Sequence, residues 1–290
     1  MKQIALALGL LLAVGGCTGP GLLSAADGLL GGGNGVRQAG DGVSFGTHGQ
    51  TLDVWRPTRV GAGPLPVVIF WYGGGWVSGT RAGYRFAGRA FAANGFVVVV
   101  PDYRKVPGVR FPAFLEDGAQ AVRWTRDHIR DFGGDPDRIA VVGHSAGAYT
   151  AVMLALDPRY LREAGIAPTT IKAAIGLSGP YDFYPFTAQS AIDAMAGVAD
   201  PLTTQPIRYA RADAPPMLLV TSDKDSVVRP YNAETLAKRL RSVGAAVELR
   251  TYQGLTHENV AMALSKPFRG KAPVLADSVA FLQREMPAVR

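Results

Sequence analysis

The stretch Ile139-Ala140-Val141-Val142-Gly143-His144-Ser145-Ala146-Gly147 decides the fold of this chain. An apolar, β-rich run leads into Gly-x-Ser-x-Gly, and a helix-compatible run from Tyr149 to Leu156 follows. Strand, sharp turn and helix in that order are the setting of a nucleophile elbow, where a serine sits in strained backbone with its hydroxyl exposed above a sheet edge. The two glycines let neighbouring backbone pack against the turn, and the helix directs unpaired N–H groups at the hydroxyl. Ser145 is the candidate nucleophile.

Working outward, further apolar runs supply a sheet around that strand. Leu52-Asp53-Val54-Trp55 alternates like a half-buried strand, Leu65 to Trp71, Phe96 to Val100, Ile171 to Leu177 and Met217 to Thr221 are near-continuous, and Val247 to Thr251 completes the series. Runs of this kind suit parallel strands buried on both faces. Between them, Ala82–Ala93, Ala113–Arg130, Ala146–Leu156, Tyr231–Val243 and Val274–Glu285 carry apolar residues at helical spacing, and Gly95, Gly133-Gly134 and Gly244 stand where helices should stop. The alternation predicts an α/β fold: a doubly wound, mostly parallel sheet of about eight strands with helices on both faces. One domain is expected over residues 43–290. Segment 180–212 has weak periodicity and is read as a small lid or pocket wall over the carboxyl edge of the sheet, where ligands bind in such folds.

A serine hydroxyl needs a base within hydrogen-bond reach. Of four histidines, only His257 follows Ser145. It lies just past the last strand, in Gly254-Leu255-Thr256-His257. His48 precedes the core strands, His128 lies among charged residues of a helix, and the backbone direction of His144 points it away from the hydroxyl. His257 is the candidate base. A carboxylate that orients the imidazole should follow strand Met217–Thr221. Asp225 is preferred because Val227 and Val228 can anchor its loop, while Asp223 is expected to cap the turn. Donors for a developing oxyanion are expected from Tyr72-Gly73-Gly74-Gly75-Trp76, directly after a strand, with Gly74 and Gly75 joined by the N–H of Ala146. Trp76, Tyr181 and Phe183, with Tyr184 and Phe186, are candidates for an acyl or aryl pocket; ordinary core and lid packing is the competing reading.

Composition narrows the function classes. The chain has 290 residues and a formal net charge of +7, with basic residues scattered rather than clustered, which disfavours a nucleic-acid surface. No His/Cys/Asp/Glu spacing suggests a metal site. At the N-terminus, Lys2 precedes an apolar run from Ile4 to Val14, too short to span a bilayer as a helix, and the only cysteine, Cys17, follows Gly15-Gly16. The run Leu12-Ala13-Val14-Gly15-Gly16-Cys17 resembles a bacterial lipobox. That resemblance implies residues 1–16 as a cleaved signal, lipidation of Cys17 and a membrane anchor in the bacterial cell envelope; Thr18, in place of Asp, favours the outer membrane. Residues 17–42, with Gly31-Gly32-Gly33-Asn34-Gly35 at their centre, are expected to be a flexible tether.

The ordered series Tyr72-Gly-Gly-Gly-Trp76, Asp102-Tyr103-Arg104, Phe111-Pro112, Asp117, Gly133-Gly134-Asp135-Pro136-Asp137-Arg138-Ile139, Gly143-His-Ser-Ala-Gly147, Pro215-Pro216, Asp225 and His257 resembles the α/β-hydrolase esterases related to hormone-sensitive lipase and to bacterial carboxylesterases, including the feruloyl- and acetyl-esterase-like branch. The match runs from about residue 50 to the C-terminus. It implies a serine carboxylic-ester hydrolase acting on a small-molecule ester with no metal or organic cofactor. The family usually has His where this chain has Tyr72, and a phenol donates one hydrogen bond where an imidazole makes two contacts. Two other functions compete: an amide-cleaving relative (a peptidase or arylformamidase), which the same triad would serve, and a non-catalytic binding lipoprotein.

Overall fold

The computed structural model describes residues 19–287, apart from 60 and 62. The signal expected over residues 1–16 and the lipidation expected at Cys17 lie outside the described residues. Eight strands form one sheet: β1 Val36–Phe45, β2 Gln50–Pro57, β3 Leu65–Trp71, β4 Val97–Pro101, β5 Gly134–His144, β6 Ile171–Leu177, β7 Met217–Ser222 and β8 Val247–Tyr252. Their spatial order is β1-β2-β4-β3-β5-β6-β7-β8. β2 pairs antiparallel with β1 and β4, and every pair from β4 to β8 is parallel. Continuous apolar runs are what a doubly covered parallel sheet requires. Val67–Trp71, Val97–Val100 and Ile139–Val142 are accordingly fully buried.

Nine α-helices among the described residues cover both faces: α1 Pro20–Leu29, α2 Arg85–Ala92, α3 Ala113–His128, α4 Ala146–Leu156, α5 Pro158–Glu163, α6 Gln189–Met195, α7 Tyr231–Ser242, α8 His257–Met262 and α9 Val274–Glu285. α2 packs on β2 and β4 and touches α9, which covers β6 and β7, while α3 and α4 pack on one another and on β5. The expected α/β-hydrolase architecture is therefore present.

The structure corrects the expectation of a tether. Residues 20–29 form α1, and residues 36–45 form the edge strand β1, the eighth strand of the sheet. Pro20 in the first turn presets the backbone for a helix. The buried Asp27 carboxylate then bonds Arg89 Nε of α2 at 2.9 Å and the Lys266 N–H at 2.8 Å. Ser24 Oγ donates to the Gly83 carbonyl at 2.7 Å. These partners lie far along the chain, so composition over residues 17–42 carries no trace of them.

Segment 180–212 contains α6 and short 3₁₀ turns. Asn232 Oδ1 accepts the N–H groups of Tyr181 and Asp182, and Gln205 Oε1 accepts those of Phe183 and Tyr184. Side-chain amides thus tie the start of the segment to α7 and to its own later turn.

Candidate active site

β5 ends at His144, α4 begins at Ala146, and Ser145 between them has φ 55° and ψ −122°. A left-handed φ on a residue bearing a Cβ costs about 1–3 kcal/mol and persists only where its surroundings enforce it. The enforcement is close backbone packing. A Cβ on Gly143 would lie 2.1 Å from the Gly147 carbonyl oxygen, and a Cβ on Gly147 would lie 2.1 Å from that of Trp71. Only glycine permits these approaches, which bring the elbow against the end of β3.

The loops after β7 and β8 deliver the other two groups. His257 Nε2 lies 2.8 Å from Ser145 Oγ, and His257 Nδ1 lies 2.9 Å from Asp225 Oδ2. An ionised carboxylate only accepts, so Nδ1 carries the proton and Nε2 is the acceptor for the Ser145 hydroxyl. Asp225 Oδ1 accepts the N–H groups of Val227 at 3.1 Å and Val228 at 2.8 Å. Burial pushes the Asp225 carboxyl up, but the His257 hydrogen bond and electrostatic attraction and the Val228 N–H outweigh it, and the group is held below the usual carboxylate range. Asp223 takes the turn role instead, with Oδ1 accepting the Gly254 N–H at 2.6 Å. Ser222 Oγ donates to the Leu255 carbonyl at 2.8 Å and accepts the Leu255 N–H at 3.1 Å, which pins the His257 loop to β7. No sequence signal marked Ser222.

The glycine loop lies against the nucleophile, since a Cβ on Gly73 would lie 3.0 Å from Ser145 Cβ. Gly74, Gly75 and Trp76 all have positive φ, at 131°, 60° and 63°. The Gly74 carbonyl is turned inward to accept Val77 and Ser78 N–H groups at 3.1 and 3.0 Å. The N–H groups of Gly74, Gly75 and Ala146 meet no protein acceptor among the described residues. Such donors are free for an anionic oxygen.

Tyr72 and Arg81 bracket this loop, and both bond Asp102. Tyr72 OH donates to Asp102 Oδ1 at 2.7 Å, while Arg81 donates through its N–H to Oδ1 at 2.9 Å and through Nη1 to Oδ2 at 2.8 Å. Burial first, then Tyr103 and Asp102, push the Tyr72 phenol up, so it remains a donor. The phenol bond and the two Arg81 contacts hold Asp102 beside the glycine loop.

Among the aromatic candidates, Trp76 and Phe183 stack with ring centroids 6.1 Å apart, and Tyr149 meets both edge-on. α6 approaches the glycine loop, with Ser190 Oγ 2.9 Å from where a Gly75 Cβ would be. Tyr181 does not belong to a pocket wall. It is fully buried and its hydroxyl packs against Gly176 and Gly179, where even a methyl group would clash. The absence of a side chain at those two glycines draws the ring into the core.

His144 has contacts the sequence did not suggest. Its Nε2 is 3.1 Å from the His257 backbone carbonyl, its Nδ1 is 3.1 Å from Tyr84 OH, and its ring lies 4.8 Å from that of His257. Burial, and next the neighbouring His257, push this imidazole down to about 3, so it stays neutral.

Residues 52–240 match the BD-FAE family model. The chain is 35% identical over 213 residues to Esterase LipC of Mycobacterium tuberculosis, covering 67% of this chain and 53% of that protein. It is 30% identical over 253 residues to isoprenylcysteine alpha-carbonyl methylesterase ICME of Arabidopsis thaliana, covering 79% and 58%. The chain thus spans about half the length of the curated relatives it matches. Among solved structures, the Pyrobaculum calidifontis esterase superposes with a TM-score of 0.72 at 22% identity over 92% of each chain, which establishes the shared fold. With its elbow, glycine loop and eight-stranded sheet, the chain belongs to the BD-FAE family of α/β-hydrolase proteins.

Proposed function

We propose that this protein is a serine carboxylic-ester hydrolase working through Ser145, His257 and Asp225. The observation that carries the reading is the continuous line from Ser145 Oγ through His257 to Asp225, at 2.8 and 2.9 Å, beside three N–H groups without acceptors among the described residues. His257 Nε2 takes the hydroxyl proton as Oγ attacks the ester carbonyl carbon. The N–H groups of Gly74, Gly75 and Ala146 hold the oxyanion, each donor contributing roughly a hundred- to a thousandfold in rate. The imidazolium, stabilised by Asp225, protonates the departing alcohol and leaves an acyl-enzyme. Water deprotonated by His257 then attacks that ester, and Oγ leaves with the proton. The Trp76–Phe183 stack supports a small or aryl acid as the acyl group.

Hydrolysis of p-nitrophenyl acetate by the wild type, Ser145→Ala and His257→Ala tests the reading. Either substitution should cost about a millionfold in kcat, because the members of a triad act as a unit. Unchanged turnover in either variant would overturn it. A series of p-nitrophenyl esters of increasing acyl length tests the acyl group, and a preference for long chains would count against the aromatic stack as its wall.

A further inference from the structure

We infer that His144 is a positioning residue for the base: with Tyr84 behind it, it holds the backbone of His257 so that the imidazole meets Ser145. The inference rests on the triad reading above. A carbonyl oxygen only accepts, so the 3.1 Å contact to the His257 carbonyl requires the proton on His144 Nε2. Nδ1 is then the acceptor for the Tyr84 hydroxyl at 3.1 Å. One tautomer satisfies both contacts. The other would set two acceptors face to face at the carbonyl, so the carbonyl contact selects the tautomer.

The position of this pair is what gives it consequence. His257 is the first residue of α8, a helix of only 6 residues with no side-chain cap. Its Nδ1 and Nε2 bonds fix the ring but not the main chain that carries it, and His144 supplies a bond to that main chain. His144 also touches the oxyanion side of the site. A Cβ on Gly73 would lie 2.9 Å from His144 Nδ1. One buried neutral ring therefore spaces the base from the glycine loop. The groups facing it are Tyr84 and His257, with Asp225 acting through space and Glu258 acting on Tyr84.

The N-terminal helix reaches the same pair. Ser24 Oγ of α1 donates to the Gly83 carbonyl at 2.7 Å and accepts the Phe86 N–H at 3.2 Å, on either side of Tyr84. Asp27 of α1 accepts the Lys266 N–H in the loop beyond α8. The segment whose composition suggested a tether thus braces the two elements between which His144 bridges.

The test is steady-state hydrolysis of p-nitrophenyl acetate by the full chain and its His144→Phe, His144→Gln and Tyr84→Phe variants, with Ser145→Ala as reference. Gln places an amide N–H near the position of Nε2, whereas Phe keeps volume and removes the donor. His144→Phe should lower kcat by about thirty- to a hundredfold with KM within about threefold, as expected when a reacting group is misplaced by a fraction of an ångström. His144→Gln should recover kcat to within about fivefold of the wild type, and Tyr84→Phe should lose about fivefold. A folded His144→Phe with kcat within about twofold of the wild type, or a Gln variant no better than Phe, overturns the inference. Should His144→Phe not fold, Tyr84→Phe decides, and unchanged kcat there also overturns it. If the wild type fails to hydrolyse the ester, or Ser145→Ala matches it, the triad reading itself falls; loss confined to the His144 and Tyr84 outcomes leaves the triad standing.

Discussion

Substituting Gly147 by alanine tests how the oxyanion loop is held in register with the elbow. The added Cβ would stand 2.1 Å from the Trp71 oxygen, 2.5 Å from the Trp71 carbonyl carbon and 2.6 Å from the Tyr72 oxygen. Ordinary contact begins at 3.4 Å, so α4 and the end of β3 must part by about 1.3 Å. All three opposing atoms are backbone, and β3 is held between β4 and β5, so the strain has no side chain to relax into. Overpacking of this kind costs about 1–3 kcal/mol, which for a chain of this size is a fall in Tm of roughly 2–10 °C. The catalytic cost should be larger. Tyr72 leads directly into Gly73–Gly75, so the separation carries the loop donors away from Ala146. A displacement near 1 Å costs about a hundredfold and a lost donor about a hundred- to a thousandfold, so kcat should fall about 10²–10³-fold with little change in KM. Gly28→Ala in α1 is the control. Its Cβ would meet nothing nearer than Arg89 Nη2 at 3.8 Å, and the change should stabilise by about 0.5–1 kcal/mol. Thermal melts and ester kinetics on both variants read the outcome. Wild-type Tm and kcat in Gly147→Ala would refute the claim that this close approach sets the geometry of the site.

Three further outcomes follow from the same contacts. Tyr72→Phe removes one bond to a charged acceptor and leaves Asp102 with Arg81, so stability should drop by about 1.5–3 kcal/mol and kcat by less than about tenfold, measured by urea unfolding and ester turnover. Asp27→Ala leaves the Arg89 guanidinium buried against α1 without its carboxylate, at a cost of about 3–5 kcal/mol, and limited proteolysis should then cut within residues 30–35. His144 has an ordinary value of 6.5 and is pushed down to about 3 in the folded protein. The unfolded chain therefore takes up a proton that the folded chain refuses, so the contribution to stability is complete above about pH 6.5 and is lost as pH falls toward 3, by up to about 1.4 kcal/mol per pH unit. Urea midpoints across that range should fall less steeply for His144→Gln, and identical slopes would contradict the assignment.

How much of this was legible in the sequence depends on where each interaction lies along the chain. Ser145, Asp225 and His257 could be picked out because each follows a β-type run and because few residue types can perform these steps. Seven of the strands announced themselves by apolar or alternating runs. β1 and α1 did not, because α1 is held by Asp27–Arg89 and Asp27–Lys266 bonds across 62 and 239 residues, which no local pattern contains. Tyr181 was misread for a similar reason: an aromatic near a lid segment gives no sign that Gly176 and Gly179 leave it room in the core. The Tyr84–His144–His257 contacts join three distant segments. Only the fold brings them together.

The most direct measurement is reaction of the full chain with a fluorophosphonate, followed by intact mass and peptide mapping. Attack by an activated serine would leave one phosphonyl group per chain, located on Ser145 and absent from Ser145→Ala. A chain that stays unlabelled, or carries the adduct on another residue, would contradict the account.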